Sequence, residues 1–197
     1  MSRLTIYRED SPSSILLDTT DGAQIAAALE PIHVRFERWS ATKELLPRRL
    51  NERGADSPLN PPDDSAVLDA YHSEIERLKH ECGYQSVDVL RCLPDNPKRA
   101  EMRLKFLDEH THDEDEVRFF VEGAGVFYLR AAGKVHMTLC ERGDLISVPA
   151  GTRHWFDMGP TPHFTAIRLF TTPAGWVANF TGERISRQFP AFGSPPA

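Results

Sequence analysis

Three histidines and one glutamate form the clearest chemical pattern in the sequence. His110, His112 and Glu116 occupy one short stretch, and His154 follows a turn-forming Pro-Ala-Gly segment at 149–151. Residues an even number of positions apart share one face of a strand, so the first three would point together on an unbroken strand. Three neutral imidazoles and a carboxylate suit a divalent transition metal such as Fe(II), Ni(II), Mn(II) or Zn(II), whereas calcium prefers oxygen throughout. The pattern predicts a site for one such metal.

Short apolar runs from about residue 100 onward predict the strands that would carry these ligands. Each break between them contains a glycine, which can adopt the positive φ of a tight turn. Strands this short, repeated about every ten residues, are typical of an antiparallel sandwich or barrel. The runs are 117–121, 126–130, 135–140, 145–148 and 164–170, and the breaks are 123–125, 131–134, 141–144 and 149–152.

Two helical patterns precede the strands. Residues 21–30 are rich in alanine and end at Pro31, which cannot continue a helix. A stronger pattern covers residues 65–82, with Ser65 as a candidate N-cap and Gly83 as a candidate C-cap. The N-terminal part of the chain is therefore predicted to be helical.

Together the two parts predict a mainly β fold with helices, of the α+β class. We expect a small antiparallel barrel over about 86–180, helices from about 15–85, and one domain over 1–197. Segment 51–64 is typical of a turn-rich loop, and the Pro-rich tail 186–197 is expected to be loose.

Composition excludes several classes of protein. The net charge of −6 argues against a nucleic-acid surface, which would be basic. The three cysteines include no CxxC pair, so a disulfide framework or a structural zinc site is not expected. The first residues are charged where a signal peptide is apolar, and no apolar stretch is long enough to span a membrane. We expect a cytoplasmic protein, most simply a monomer, that binds neither nucleic acid nor membranes.

The two histidine-bearing stretches resemble the two cupin motifs. HTHDEDE followed by Gly123 is similar to H-x-H-x3-E-x6-G, and GDLISVPAGTRH at 143–154 is similar to G-x5-P-x-G-x2-H. Leu104 and Met158 stand where the motifs usually have glycine and asparagine, and neither is a ligand position. The resemblance implies a cupin-type barrel, also called a double-stranded β-helix or jelly roll. Because cupins include both enzymes and binding proteins, the fold alone assigns no function.

Longer phrases resemble the acireductone dioxygenases of methionine salvage. They are HWFDMG at 154–159 and AIRLF at 166–170 with a downstream Gly-Trp, and the similarity runs from about Ile32 to Phe189. The resemblance implies one Fe(II) or Ni(II) per chain, with Co(II) or Mn(II) as substitutes. The ligands it implies are His110, His112, Glu116 and His154, which leave two positions for water or substrate.

The same resemblance implies cleavage of the acireductone 1,2-dihydroxy-3-keto-5-methylthiopentene by O2. With iron, the family forms 4-methylthio-2-oxobutanoate and formate. With nickel, it forms 3-methylthiopropanoate, formate and carbon monoxide. Because one protein can bind either metal, the sequence does not decide the product.

Two arginines could bind this substrate, which is an acidic enediol and therefore anionic. Arg118 lies on the same strand face as Glu116, and Arg168 lies in the middle of a predicted strand. A buried arginine needs an anion or a carboxylate as its partner. An ion pair with Glu109, Asp113 or another acid is the alternative for Arg118, and the resemblance favours substrate-orienting roles for both arginines.

Three aromatic residues and one acid complete the candidate site. Phe106 and Phe156 lie at even offsets from His110 and His154, and Trp176 follows a turn. Such residues usually pack in cores, but the resemblance implies that these three wall the pocket for the methylthio tail. Glu109 would face away from His110 on an ideal strand, and it is a candidate base or a partner of a ligand.

Two other functions remain open at this point. One is a different cupin metalloenzyme, such as a thiol dioxygenase or a sugar-phosphate isomerase, with the same ligands in another pocket. The other is a non-catalytic cupin that binds a small molecule. The phrases HWFDMG and AIRLF disfavour the first, and the complete set of four ligands disfavours the second.

Overall fold

Eleven strands form the sheet of the computed structural model, which describes residues 1–40, 63–172 and 175–193. Every pairing between these strands is antiparallel. The strands are β1 (Arg3–Arg8), β2 (Ser11–Thr19), β3 (Arg35–Arg38), β4 (Ser86–Cys92), β5 (His110–Thr111), β6 (Glu116–Ala131), β7 (Lys134–Glu141), β8 (Asp144–Val148), β9 (Arg153–Asp157), β10 (Phe164–Phe170) and β11 (Asn179–Phe180).

The long strand β6 joins two groups of strands. Its first part pairs with β8 and β10, and these pair in turn with β3 and β4. Its second part pairs with β7 and β9 in the order β11-β5-β9-β6-β7-β1-β2. The predicted class, mainly antiparallel β with helices, is confirmed, although the pairing among the described strands does not close into a ring.

The predicted break at 123–125 is wrong, because β6 runs through it. Gly123 takes a φ of +72° there, and the pairing with β10 shifts register between Thr165 and Ala166. An added Cβ at Gly123 would lie 1.7 Å from the carbonyl oxygen of His163, so the glycine permits a close approach of two backbones. At this glycine β6 passes from its partners β8 and β10 to its partners β7 and β9 without ending.

The predicted helix at 21–30 is confirmed, and the predicted helix at 65–82 is split in two. Helix α1 covers Gly22–Leu29, and Asp21 caps it by accepting from the Gln24 N–H at 2.8 Å. Helices α2 (Asp64–Ala70) and α3 (His72–Cys82) meet at Tyr71, whose φ of −121° is not helical. Gly83 ends α3 as expected.

Other parts of the N-terminal prediction need correction. Asp63 caps α2 in place of the predicted Ser65, and α4 (Arg99–Leu107) was not predicted. Strand β3 and the second half of β2 lie in the part predicted to be helical, and β1, which precedes that part, pairs with β2 and β7. Most of the predicted loop 51–64 lies outside the described residues.

The C-terminal segment packs against the sheet up to the end of the described residues. A short 3-10 helix covers Ile185–Gln188, and Phe189 is buried against Tyr7 and Trp155. Residues 194–197 of the predicted tail lie outside the described ranges, and the single domain over 1–197 stays a prediction. In the described part of the chain, no helix is long and apolar enough to cross a membrane.

Candidate metal centre

The four predicted ligand residues come together at one buried point. His110 lies on β5, Glu116 begins β6, His154 lies on β9, and His112 is in the turn after β5. One ligand atom from each side chain lies within 4.8 Å of the others. All four residues are at least nine-tenths buried. The arrangement could hold one metal ion.

Strand pairing and one turn bring these side chains together. His110 on β5 lies directly opposite His154 on β9, which in turn pairs with Leu129 on β6. The Pro-Ala-Gly turn before His154 donates the Gly151 N–H to the His112 carbonyl at 2.8 Å. The turn therefore fixes the second histidine stretch against the first.

Backbone carbonyls fix the orientation of all three imidazoles. The Nδ1 atoms of His110, His112 and His154 each lie 2.7 Å from a backbone carbonyl oxygen, so each Nδ1 carries a proton and donates it. In a neutral imidazole the other nitrogen, Nε2, then keeps its lone pair for a metal. The accepting carbonyls belong to Asp108, Val177 and Thr152.

Glu116 supplies the negative charge of the centre. Its Oε2 lies 3.0 Å from His112 Nε2 and 2.9 Å from His154 Nε2. Burial raises the pKa of Glu116, but the charge of Arg118 and the hydrogen bonds that His112 and His154 donate when protonated outweigh it and hold the pKa well below its usual range. The carboxylate is therefore ionised at neutral pH.

The imidazoles differ in how readily they take up a proton. Burial and then the neighbouring His154 lower the pKa of His110 to about 4. Burial also lowers the pKa of His112, but the hydrogen bond and charge of Glu116 outweigh it and raise the pKa overall. Neutral imidazoles beside an ionised carboxylate match the donor set of a divalent transition metal.

Arg118 lies beside this centre as a buried cation. Its Nε is 2.8 Å from Glu116 Oε1, so its acidic partner is Glu116 rather than Glu109 or Asp113. The two atoms lack the alignment of a hydrogen bond, and among the described residues Nη1 has no hydrogen-bond partner. Four aromatic rings surround the guanidinium, with centroids 4.4–5.8 Å away: Phe106, Phe127, Phe156 and Trp176.

Arg168 lies opposite Arg118 in the sheet but has a different partner. Its Nε donates to Asp88 Oδ1 on β4 at 2.8 Å. The guanidinium also lies 5.2 Å from the ring of Phe170 and 5.4 Å from that of Trp176. These residues line a cleft of about 400 Å³, which we call the outer cleft, and Arg168 is a quarter exposed there.

The three predicted aromatic residues lie around Arg118, although one of them, Phe106, belongs to a helix. Phe156 is on β9 as expected, and its ring is buried. The argument from the even offset of Phe106 to His110 does not apply, because Phe106 lies on helix α4, with its ring 6.4 Å from that of Phe156. Trp176 stacks on His112 at 6.0 Å and donates from Nε1 to the Asp115 carbonyl at 3.0 Å.

Glu109 points away from the four ligand residues into a separate polar network. Its carboxylate is buried and accepts from Arg130 Nη1 at 3.2 Å and from Thr181 Oγ1 at 2.8 Å. Arg130 also pairs with Glu9 and Glu183. The network therefore ties the residue before His110 to the C-terminal segment and to the β1–β2 turn.

Asp115 is a site residue that the sequence reasoning missed. Its Oδ1 accepts from the Ala150 N–H at 3.0 Å, so it connects the ligand turn at 112–116 to the turn before His154. Its position in the sequence between two predicted ligands, His112 and Glu116, was a signal that could have identified it. Its partner on a distant turn was not, because that contact exists only in the folded chain.

Comparisons with known proteins agree with this geometry. A family model described as "ARD/ARD' family" matches residues 3–178. A protein named acireductone dioxygenase from Parvibaculum lavamentivorans is 58% identical over 196 residues, covering 100% of both chains. One of the same name from Stenotrophomonas maltophilia is 53% identical over 192 residues, covering 98% of this chain and 97% of that protein.

A solved structure extends the similarity to the fold. Acireductone dioxygenase from Bacillus anthracis, with a cadmium ion in its active center, superposes with a TM-score of 0.77 at 30% identity. The match covers 91% of this chain and 98% of that one. Sequence and structure therefore agree, and the chain belongs to the ARD/ARD' family.

Proposed function

We propose that this chain is a metal-dependent dioxygenase that cleaves 1,2-dihydroxy-3-keto-5-methylthiopentene with O2. One observation carries the proposal: three imidazoles with their Nδ1 atoms held by carbonyls form one buried cluster with Glu116, beside the buried cation Arg118. A redox-capable metal needs such a donor set, and an anionic enediol needs such a cation. The names of the relatives support the same substrate.

The resident metal in this proposal is Fe(II) or Ni(II), with Co(II) or Mn(II) as substitutes. His110, His112, Glu116 and His154 would hold it, one ligand atom each. Bound there, the ion supplies charge stabilisation and a template for substrate oxygens. Intrinsic affinity favours nickel over iron for such ligands, but the metal that is bound in the cell also depends on how much of each ion the cell supplies. Iron would give 4-methylthio-2-oxobutanoate and formate, and nickel would give 3-methylthiopropanoate, formate and carbon monoxide.

Arg118 binds and orients the substrate in this proposal. Its Nη1 is buried and has no hydrogen-bond partner in the described part of the chain, which is costly unless an oxygen of a ligand accepts from it. The negative charge of the enediolate meets that need. A guanidinium that is already fixed by Glu116 and by rings stabilises charge that develops on the substrate.

The aromatic rings receive the apolar end of the substrate. Phe106, Phe156 and Trp176 present carbon surface beside the guanidinium. The methylthio tail is the apolar part of the proposed substrate, so burying it there is favourable and keeps water away from the charged groups.

Two residues have supporting roles in the proposal. Arg168 adds positive charge at the outer cleft and helps to orient the anionic substrate, at a distance from the ligands. Glu109 is tied to Arg130 and Thr181 and so acts as a positioning residue for His110, in preference to a catalytic base. A monomer in the cytoplasm remains part of the proposal, and size-exclusion chromatography measures the oligomeric state.

A substrate panel tests the proposal against its rivals. Iron-loaded protein is given the acireductone, a free thiol amino acid or a sugar phosphate, with oxygen uptake and sugar isomerisation as readouts. Oxygen uptake with the acireductone alone is expected. Turnover of the thiol or the sugar phosphate would support another cupin enzyme. Binding without turnover of any of them, at one metal per chain, would support a binding protein.

A further inference from the structure

The backbone conformation at residue 125 on β6 does not require a glycine. Its φ is not positive, so the backbone alone would accept any residue. An added Cβ would lie 2.3 Å from Phe156 Cζ and 2.5 Å from Phe156 Cε2, whereas the nearest Phe120 atom is 3.4 Å away. The missing side chain therefore leaves space for one ring, that of Phe156.

The ring of Phe156 has no room to retreat from such a Cβ into the core. Three fully buried rings pack around it, with centroids 4.9–6.4 Å away: Phe127, Phe164 and Phe120. The Arg118 guanidinium, at 4.4 Å, and the partly exposed Phe106 also lie beside this ring. Carbon atoms in contact are about 3.5 Å apart, so a Cβ at Gly125 would displace the ring by about 1 Å.

We infer that Gly125 is a specificity-determining residue that sets how much room the substrate's tail has beside Arg118. The inference rests on the proposed function, because it needs an anionic head bound by Arg118 and an apolar tail against Phe156. With glycine at 125, the Phe156 ring leaves room for the methylthio tail beside Arg118. A larger residue at 125 moves the ring into that space and selects for acireductones with shorter tails.

The test compares Gly125→Ala on two acireductones that differ only in the tail. One is the methylthio compound, and the other carries hydrogen in place of the methylthio group. Gly22→Ala is the matched control, since Gly22 is exposed and an added Cβ there meets nothing within 4 Å. Each protein is loaded with iron, and its metal content is measured.

For Gly125→Ala, kcat/KM on the methylthio compound is expected to fall about tenfold or more, while that on the truncated compound changes less than about twofold. Gly22→Ala is expected to match the wild type on both. An equal loss on both compounds, or no loss on either, with one metal per chain, would overturn the inference. Wild-type protein that is inactive on both would instead overturn the proposed function and the inference with it.

A second variant covers the case in which Gly125→Ala does not fold. Leucine lacks the Cε2 and Cζ atoms that the Cβ would meet, so Gly125→Ala with Phe156→Leu relieves the clash. The double variant is expected to fold, to hold one metal and to restore the wild-type ratio of the two kcat/KM values to within about threefold. Failure of the double variant to fold, or a ratio that stays shifted towards the truncated compound, would contradict the role given to the Phe156 ring.

Discussion

Arg118 and Arg168 stand opposite each other on β6 and β10, yet they lie in different surroundings. Arg118 is buried beside Glu116, and two of its nitrogens, Nε and Nη1, have no hydrogen-bond partner in the described part of the chain. Arg168 is a quarter exposed and pairs with Asp88 in the outer cleft. Trp176 contacts both guanidinium groups. The residue type and the register are the same, so burial and partner decide what each arginine can do.

The difference separates two kinds of electrostatic contribution. A charge fixed in a dry site acts strongly on a neighbouring anion, because little solvent screens it. A charge at the surface is screened by salt, and its pairs contribute little. Substitutions at the metal centre are therefore expected to have large effects, and substitutions in the outer cleft small ones.

The largest effect is expected from His112→Ala, which removes one ligand from the buried centre. Loss of the imidazole leaves three donors and removes one of the two Nε2 contacts of Glu116, so both metal retention and turnover should be lost. Metal analysis after desalting and an oxygen-uptake assay measure the two losses. A variant with one metal per chain and full turnover would refute the ligand assignment.

Arg118→Met is expected to have the next largest effect. Methionine keeps apolar volume among the rings but removes the buried donor, so kcat/KM should fall about a hundredfold or more. Metal content should stay at one per chain, because Arg118 is not a ligand. Steady-state kinetics at matched metal content measure the effect. A wild-type value of kcat/KM in Arg118→Met would contradict the difference proposed between the two arginines.

Trp176→Phe tests the residue that both arginines contact. Phenylalanine keeps a ring beside His112 but loses the hydrogen bond from Nε1 to the Asp115 carbonyl. A lost hydrogen bond of about 1 kcal/mol corresponds to a roughly fivefold decrease in kcat/KM. Trp176→Leu, which also removes the ring, should lose more, and equal losses in the two variants would argue against a separate role for the hydrogen bond.

Arg168→Met is expected to have the smallest effect. The guanidinium is partly exposed and already paired, so KM should rise by less than about fivefold, and the rise should shrink in high salt. Asp88→Asn is the matched control, because it frees Arg168 without removing its charge and should leave KM equal or lower. A loss in Arg168→Met as large as that in Arg118→Met would show that the outer cleft belongs to the reaction site.

Local sequence signals predicted part of this account well. The spacing of His110, His112, Glu116 and His154 predicted a cluster of metal-binding donors, and the structure brings these four side chains together. Helix α1 was predicted because its segment is rich in alanine and is followed by Pro31, and both signals are local in the sequence.

Features that depend on long-range packing were not predicted. Phe106 reaches Arg118 from helix α4 rather than from a strand, and β6 continues through Gly123 because its neighbours change there. The Val177 carbonyl that orients His112 lies far along the chain, so spacing gave no sign of it. The different surroundings of Arg118 and Arg168 depend on Glu116 and Asp88, and only the folded sheet brings these partners together.

Product analysis during oxygen uptake is the sharpest test of whether this chain cleaves the acireductone with a bound metal. Protein loaded with iron, at one metal per chain, is given the acireductone and O2, and the measurement is repeated with nickel. The account predicts uptake well above the uncatalysed rate, with formate and 4-methylthio-2-oxobutanoate from the iron protein. It predicts formate, carbon monoxide and 3-methylthiopropanoate from the nickel protein. Uptake no faster than the uncatalysed rate, with the metal verified as bound, would contradict it.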